Sequence, residues 1–299
     1  MRPDSPSPVL PFLIACAGIA TYSAMDVLMK GLSIDIGAYN AVLWRTGAGT
    51  LLSGLLYLAS RPEWPGQAVL RIHAWRSLFV AGMALSFFWA LARLPIAEAI
   101  ALAFVAPLMA LYMAAIFLGE TIGPRSIAAS LLGLAGVIVI VAGKLGGDYS
   151  DEALWAVGAV FLSATFYAYN LILARRQAKL AEPMEIAFFQ NFFVAAILAL
   201  GAPWFLAVPA ATQAPNIMGA ALLATTSLLL LSWAYARAET QILATTEYTG
   251  FLWAMLFGWY FYGEPVTLPT LAGALLIVAA CLIVARKVPH EDPLEPAAA

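Results

Sequence analysis

Ten long apolar runs, separated by short polar or helix-breaking segments, make up most of the chain. A helix that crosses the hydrocarbon core of a membrane needs about 20 apolar residues. The pattern therefore predicts transmembrane helices over residues 9–29, 37–59, 75–93, 95–118, 125–143, 153–174, 183–207, 216–236, 240–262 and 268–286. Proline and glycine fall in the gaps, as at Arg61-Pro62 and Gly146-Gly147, where they end helices.

The last five runs repeat the first five after a shift of 144 residues (234 − 90). Three pairs of segments match under this shift: residues 90–93 with 234–237, 119–120 with 263–264, and 20–26 with 164–170. An odd number of helices per repeat places the second repeat in the membrane upside down. The sequence thus predicts an all-α protein of two inverted five-helix repeats, an arrangement common in secondary transporters.

The repeat divides the chain into five parts. They are an N-terminal segment (1–8), a first repeat (9–143), a linker (144–152), a second repeat (153–287) and a tail (288–299) that is expected to be disordered. Eleven of the 15 Lys and Arg residues fall on the side of the N-terminus, Lys30, Arg93 and Lys144 fall on the other side, and Arg45 lies within a helix. Basic residues favour the cytoplasmic side, so both termini are predicted to be cytoplasmic.

Composition supports lipid as the surrounding solvent. Hydrophobic residues make up 63% of the chain and charged residues 11%, against about a quarter charged in soluble domains. The net charge of −2 gives no basis for nucleic-acid binding. Cys16 and Cys281 lie in apolar runs and are expected to be inert, while His73 and His290 lie in polar segments. No metal-binding or dinucleotide-binding motif is present, so no metal and no cofactor are expected.

Two five-helix halves, each with an Ala-x-Ala-Arg turn and a fourth helix that closes on Gly-Glu, resemble the EamA-type repeats of the drug/metabolite transporter superfamily. Residues 247–254, leading to Gly263-Glu264, look like the second-repeat signature of that family. Its many aromatic residues make the chain most similar to the bacterial aromatic amino-acid exporters. The resemblance implies a central cavity between predicted helices three, four, eight and nine, with parts of one and six. Predicted helices five and ten would lie at the periphery.

The resemblance predicts an inner-membrane transporter that exports aromatic and other apolar amino acids, or related small metabolites, by alternating access. A transporter of nucleotide-sugars, purines or drug-like compounds is the alternative. An integral membrane enzyme is disfavoured because no nucleophile, base and metal site converge in the sequence, and no charged ring indicates a channel. The expected partners are a small-molecule substrate and the lipid bilayer, and the chain is expected to be a monomer.

Charged residues inside apolar runs are the first candidates for a substrate site, because an ionisable group at membrane depth is costly. Glu247 is either a proton or substrate-amine site or a structural acid. It is the favoured coupling residue, although facilitated diffusion is favoured over coupling. Asp26 and its repeat partner Asn170 are expected to pack across the internal symmetry axis, as a substrate contact or as a polar clamp. Arg45 either binds a substrate carboxylate or, as favoured, neutralises Asp26 or Glu98, two acids expected to lie near external water.

Aromatic side chains are the second set of candidates. Trp89 and Trp233 occupy equivalent repeat positions and form either two walls of the cavity or a symmetric pair at the membrane interface. Tyr112, Tyr169 and Tyr248 complete the predicted substrate-binding set. A separate group near the end of predicted helix nine is assigned to the interfacial belt: Trp259, Tyr260 and Tyr262.

Pro107 lies in the middle of predicted helix four and removes a backbone hydrogen bond there. It is expected either to shape the cavity and move during gating or to produce a static bend. Its repeat position is Phe251, so the two halves are expected to differ at this point. Four charges that recur by symmetry are interpreted as caps and turn residues at the interface: Glu120, Glu264, Arg93 and Arg237.

The topology is testable with reporter fusions. A reporter that is active only in the cytoplasm, fused after Lys287, is expected to be active. The same reporter fused near Lys144, in the linker between the repeats, is expected to be inactive and serves as the control. Activity of the Lys287 fusion only on the outer side would contradict the ten-helix topology.

Overall fold

The computed structural model describes residues 9–60, 64–118, 124–145, 151–177, 180–235, 237 and 244–285. Almost all of these residues are helical. The α-helices are α1 (Val9–Ala59), α2 (Gln67–Leu91), α3 (Ile96–Ala103), α4 (Ala106–Leu118), α5 (Pro124–Leu145), α6 (Asp151–Gln177), α7 (Pro183–Ala199), α8 (Ala202–Phe205), α9 (Ala214–Tyr235), α10 (Thr249–Tyr262) and α11 (Leu268–Ala285). Two 3₁₀ helices cover Ala211–Gln213 and Ala244–Tyr248.

Helix α1 contains both of the first two predicted helices. Its 51 residues would span about 77 Å if straight, far more than the hydrocarbon core of about 30 Å. Gly37, with φ 79° and ψ 150°, interrupts it, and only glycine adopts that backbone conformation without strain. The N-terminal arm of α1 (residues 9–36) and its C-terminal arm (residues 38–59) are therefore two helices. The predicted gap at 30–36 is wrong, because Lys30 and Ser33 are buried within the helix.

Length and polarity place the protein in a membrane. Four helices among the described residues are long and apolar enough to cross one: Val9–Ala59, Gln67–Leu91, Asp151–Ala174 and Ala211–Ala234. Four shorter apolar helices accompany them. Large apolar side chains such as Leu55 (71% exposed), Trp155 (73%) and Leu275 (62%) point outward. The chain is an all-helical, multi-pass membrane protein whose outer surface is covered by lipid.

Both halves interrupt a predicted helix at the same repeat position. The run 95–118 is divided at Phe104 and Val105, between α3 and α4. In the run 240–262, the 3₁₀ helix ends at Tyr248, and α10 begins at the next residue, Thr249. Phe104 and Tyr248 are 144 residues apart (248 − 104), and their rings meet edge to face at a centroid distance of 5.6 Å. The two interruptions therefore touch each other.

The expectation that Pro107 makes the two halves differ is wrong for the helix interruption, which both halves have. Pro107 occupies the first turn of α4, a position in which its missing N–H costs nothing. The second half has no proline there, but the Thr249 hydroxyl donates to the Thr246 carbonyl at 2.6 Å and supports a break of its own. The helix interruption is thus accompanied by a proline in the first half and by a side-chain hydrogen bond in the second.

Two predicted helix boundaries are also wrong. Helix α2 begins at Gln67, well before residue 75. Its early turns are accommodated because His73 is buried and contacts Glu185 and Gln177. Helix α7 ends at Ala199 rather than at 207. Asn40 satisfies the backbone after it, donating to the Phe205 carbonyl at 3.2 Å and accepting from the Ala207 N–H at 2.8 Å.

The helices that pack most closely are antiparallel pairs with one member in each half. In the α1–α9 pair, Ser227 donates to the Gly18 carbonyl at 2.8 Å, and Leu28 lies next to Gly219. In the α2–α6 pair, Ser163 donates to the Met83 carbonyl at 2.9 Å. Met83 is the repeat position of Ser227 (227 − 144). The two interfaces are therefore built from equivalent parts of the two halves.

The α5–α11 pair is reciprocal under the same shift. A Cβ added at Gly136 would lie 2.7 Å from Ile277, and one added at Gly133 would lie 3.5 Å from Ala280. The repeat positions of Gly133 and Gly136 are Ile277 and Ala280 themselves. Exchanging the two halves thus maps this interface onto itself, as in a two-fold contact. Small residues let the two backbones approach closely.

The closeness of α5 and α11 predicts the effect of Gly136→Ala. Its Cβ would lie 2.6 Å from the Gly273 carbonyl oxygen, a backbone atom that cannot move away freely. Overpacking of this kind costs about 1–3 kcal/mol, so we expect a lower melting temperature in detergent. The control is Gly158→Ala, whose Cβ meets nothing within 4 Å. Equal melting temperatures of the two variants would contradict the packing described here.

Candidate functional site

Asp26 is the most deeply buried acid of the N-terminal arm of α1. Its side chain is 1% exposed, and within the described part of the chain no hydrogen-bond partner reaches its Oδ1. The expectation that Asp26 lies near external water is therefore wrong, and so is the same expectation for Glu98, which is 4% exposed in the first turn of α3. The fold-back at Gly37 places the C-terminal arm of α1 beside Asp26.

Arg45, on that C-terminal arm, lies within electrostatic range of the Asp26 carboxyl group, and the neutral Tyr22 hydroxyl lies near both residues. The favoured interpretation of Arg45 as a counter-charge for Asp26 agrees with this position. The two residues do not satisfy all of each other's hydrogen-bonding atoms, however. The Nε atom of Arg45 is buried and has no hydrogen-bond partner among the described residues. Tyr22, one helical turn before Asp26, is 45% exposed. The site combines an acid and a base that both retain hydrogen-bonding capacity.

This charged group belongs to the first half alone. Under the 144-residue shift, Tyr22, Asp26 and Arg45 correspond to Phe166, Asn170 and Phe189. The sequence predicted that Asn170 packs against Asp26. In the structure Asn170 instead accepts a hydrogen bond from Arg76 Nε at 2.7 Å. The counterparts of these three ionisable side chains in the second half are therefore uncharged, and two of them have no polar atom. The asymmetry is what a substrate-binding site requires, because a small substrate is itself asymmetric.

The two repeat-related tryptophans each lie beneath an arginine one turn later. The guanidinium carbon of Arg93 is 3.9 Å from the Trp89 ring centroid, and that of Arg237 is 4.2 Å from the Trp233 ring centroid. Each arginine also donates to the carbonyl of its tryptophan, at 3.0 and 3.2 Å. One face of each indole is therefore occupied by a cation–π contact. A role of the two indoles as cavity walls stays a prediction.

The remaining predicted site residues are spread over several elements. Tyr169 packs on Phe79 at a centroid distance of 4.4 Å. Tyr112 is half-buried on α4, and Pro107 is exposed on its first turn. Glu247 is exposed in the 3₁₀ helix before α10. Glu247 was favoured as the coupling acid because it was expected to be buried. That expectation is wrong, since Glu247 is exposed and Asp26 is buried.

Lys30 forms an ion pair that the sequence did not predict. It was assigned to the external surface, yet it is 5% exposed. Its Nζ lies 2.5 Å from Glu264 Oε1 and donates to the Leu94 carbonyl at 2.6 Å. Asp26 and Lys30 lie one turn apart on one face of α1, which is the sequence signal that could have indicated a polar face. The repeat position of Lys30 is Ala174, so this ion pair is not repeated either.

Glu264 joins the two halves rather than capping its own loop, which corrects the sequence interpretation. Gly263 ends α10 with φ 63°, a left-handed conformation that favours glycine. Glu264 then reaches the first half, where its Oε2 accepts the Ile96 N–H at 2.7 Å at the start of α3. Its repeat partner Glu120 lies outside the described residues.

Tyr262 also differs from its predicted place in the interfacial belt. Its hydroxyl donates to the Val27 carbonyl at 2.8 Å, and its ring lies 5.3 Å from Lys30 Nζ. Trp259 and Tyr260 are 63% and 72% exposed, as expected for residues facing lipid and interface. Tyr262 faces the opposite way because it completes the surroundings of the buried ammonium group.

A second polar cluster lies at the other end of α2. His73 and Arg76 of α2 meet Asn170 and Gln177 of α6 and Glu185 of α7. The sequence placed His73 in a polar segment, but its side chain is 1% exposed. Both polar clusters contain residues from each half, and they lie at opposite ends of the helix bundle.

A cavity of about 420 Å³ opens between α1, α9 and α10. It lies on the face of the N-terminal arm of α1 opposite to Asp26. Its lining is mostly apolar and contains none of the predicted substrate-binding residues: Ala24, Val27, Leu28, Gly31, Asn216, Leu223, Phe257, Phe261 and Tyr262.

Comparison with known proteins identifies the repeats. The sequence profile of the EamA-like transporter family matches residues 10–142 and 154–286, two stretches offset by the same 144 residues. The pseudopaline exporter of Pseudomonas aeruginosa (strain UCBPP-PA14) is 31% identical over 92% of this chain and 95% of that protein. The riboflavin transporter of Rhizobium johnstonii is 29% identical over 90% and 88%.

The aromatic amino acid exporter of Ancylobacter novellus is 28% identical over 58% of this chain and 56% of that protein. A solved crystal structure superposes with a TM-score of 0.60 at 20% identity, over 92% of this chain and 96% of that chain. This likeness supports the fold.

The Lys30–Glu264 pair predicts a specific pattern of stability. Glu264→Gln leaves a buried ammonium group without its counter-charge, which costs about 3–5 kcal/mol, so the melting temperature should fall sharply. Lys30→Met combined with Glu264→Gln should recover most of the loss, because the glutamine still accepts the Ile96 N–H. The control is Glu152→Gln, at an exposed acid of α6. If the double variant melts no higher than Glu264→Gln, the ion pair does not contribute as described.

Proposed function

Because this chain belongs to the EamA-like transporter family, we propose that it is an inner-membrane exporter of small metabolites that carry both an amine and a carboxylate, amino acids with aromatic or other apolar side chains among them. The single observation that carries this proposal is the buried pair of Asp26 and Arg45. Each member keeps an unused hydrogen-bonding atom, the Oδ1 of Asp26 and the Nε of Arg45.

The chemistry of this pair matches an amphoteric substrate. A carboxylate accepts hydrogen bonds from an ammonium group, and a guanidinium group binds a carboxylate with good geometry. A zwitterion that inserts between Asp26 and Arg45 would satisfy both at once. It would also replace the attraction of the two residues for each other, so neither charge would be left alone in a water-poor environment.

Alternating access explains why polar clusters lie at both ends of the bundle. The Lys30–Glu264 pair joins the halves at one end, and the His73 cluster joins them at the other. In a transporter of inverted repeats, each end opens in turn while the site between them stays fixed. The reciprocal α5–α11 contact and the antiparallel α1–α9 and α2–α6 pairs support the inverted arrangement.

A transporter of flat, uncharged metabolites is the second candidate. It is favoured by the Phe104–Tyr248 contact, where the helix interruptions of both halves meet at aromatic rings. A relative transports riboflavin, as its name states. An enzymatic function is less well supported, because the family and the matched relatives are transporters.

The test is counterflow in proteoliposomes with labelled aromatic amino acids, their analogues lacking either the amine or the carboxylate, and riboflavin. We expect exchange only of compounds that carry both groups. Asp26→Asn and Arg45→Lys should each weaken exchange by about 10- to 100-fold, since a hydrogen bond to a charged group contributes about 1.5–3 kcal/mol.

The matched controls are Asp35→Asn and Arg71→Lys, the same substitutions at exposed positions of α1 and α2. Both should transport like the wild type. Exchange of riboflavin without exchange of amino acids would favour the second candidate. Equal rates in Asp26→Asn and Asp35→Asn would remove Asp26 from the substrate site.

A further inference from the structure

His73 lies in a closed polar environment on α2. Both of its ring nitrogens have partners from other helices: Gln177 Nε2 lies 2.5 Å from Nδ1, and Glu185 Oε1 lies 2.9 Å from Nε2. Its ring stacks on Phe189 at a centroid distance of 5.0 Å. With 1% exposure, the imidazole is shielded from bulk solvent.

Arg76 fixes the direction of every hydrogen bond in this cluster. A guanidinium group only donates, so its contacts with Asn170 Oδ1 and Gln177 Oε1 require both oxygens to face it. The amide nitrogen of Gln177 must then face His73 and donate to Nδ1. Nδ1 therefore carries no proton, and the neutral ring holds its proton on Nε2, from which it donates to Glu185. The tautomer of His73 thus follows from the contact between Arg76 and Gln177.

We propose that Nδ1 of His73 is a proton-binding site whose occupation breaks the Gln177 contact between α2 and α6 and so loosens the packing of these two helix ends. A proton on Nδ1 would point at the N–H₂ group of Gln177, so two donors would face each other. Turning the Gln177 amide would relieve that contact but direct the same N–H₂ group at Arg76. Because arginine has no acceptor, no orientation of Gln177 satisfies both neighbours of the protonated ring.

The protonated ring would at the same time hold α7 more tightly. Its Nε2–H already donates to the Glu185 carboxylate, and a positive ring strengthens that bond. One proton thus weakens the tie from α2 to α6 and strengthens the tie from α2 to α7. Both α6 and α7 belong to the second half, so protonation moves the connection between the halves from one helix to the other.

The ionisable groups around this cluster come from each helix packed against it. Glu185 on α7 lies 2.9 Å from Nε2 of His73, and both Glu182 and Glu185 lie near Tyr57 of α1. Arg76 lies on α2, and Tyr167 of α6 lies near that arginine. The structural consequence of a proton on Nδ1 follows from the geometry of Gln177.

The proposal does not depend on the substrate, so its test uses the protein without one. The chain has two histidines, and His290→Ala leaves His73 as the sole imidazole. The ¹⁵N spectrum of the histidine-labelled protein in nanodiscs should show, at pH 7.5, a neutral ring protonated on Nε2. At lower pH it should show a doubly protonated ring. A neutral ring protonated on Nδ1 would overturn the assignment.

Gln177→Glu tests the mechanism of release. A carboxylate at this position can accept from Arg76 and from a protonated Nδ1 together, so no conflict between donors remains. Hydrogen–deuterium exchange, corrected for the intrinsic effect of pH, is measured at pH 7.5 and 5.5 over residues 67–77 and 170–177. The wild type should lose protection in both segments at the lower pH, whereas Gln177→Glu should keep it.

Gln213→Glu provides a matched control, since it adds the same charge in the 3₁₀ helix Ala211–Gln213, and it should behave like the wild type. Equal acid-induced loss of protection in Gln177→Glu and the wild type would overturn the proposal, as would full protection of the wild type while its ring is doubly protonated. None of these measurements involves transport. Failure of this proposal and failure of the proposed substrate class are therefore separable.

Discussion

A polar group at membrane depth must find its partner within the protein, because the bilayer core offers no water to replace one. Lys30 illustrates the consequence. Its ammonium group is buried within the N-terminal arm of α1, and leaving it unpaired would cost several kcal/mol. Glu264, in the loop after α10 in the other half, is its counter-charge, and the same carboxylate caps the start of α3. The need to satisfy one buried charge thus fixes how three helices from two repeats meet.

The repeat provides the scaffold, and several buried ionisable side chains depart from it. The helix interruptions at Phe104 and Tyr248 recur at equivalent positions and touch, and the α5–α11 contact is reciprocal. The buried ionisable groups follow a different rule. Asp26 and Arg45 have uncharged counterparts in the second half, and Lys30 has an alanine. Symmetric contacts suit a framework whose halves exchange roles, whereas an asymmetric substrate needs a site that is not symmetric.

Hydrogen-bond polarity adds a constraint that distances alone do not reveal. In the cluster at the start of α2, Arg76 can only donate, and this orients Gln177, which in turn selects the tautomer of His73. A chain of donors with a fixed direction accepts no additional proton without losing a contact. Such a chain has all its contacts satisfied in one protonation state and at least one contact broken in the other. Buried networks therefore couple protonation to helix packing more directly than exposed ion pairs, which water can replace.

The sequence by itself determined the all-helical membrane class, the 144-residue repeat and the membership of the transporter family, because these depend on apolar runs and short motifs that are local in the chain. It did not determine which polar residues meet. Lys30 was expected outside, His73 in a polar segment and Asp26 near water, since each was judged from its own run. Only the tertiary structure brings residues more than a hundred positions apart within hydrogen-bonding distance, as for His73 and Gln177. Burial of a polar side chain is decided by such a distant partner, which no local pattern encodes.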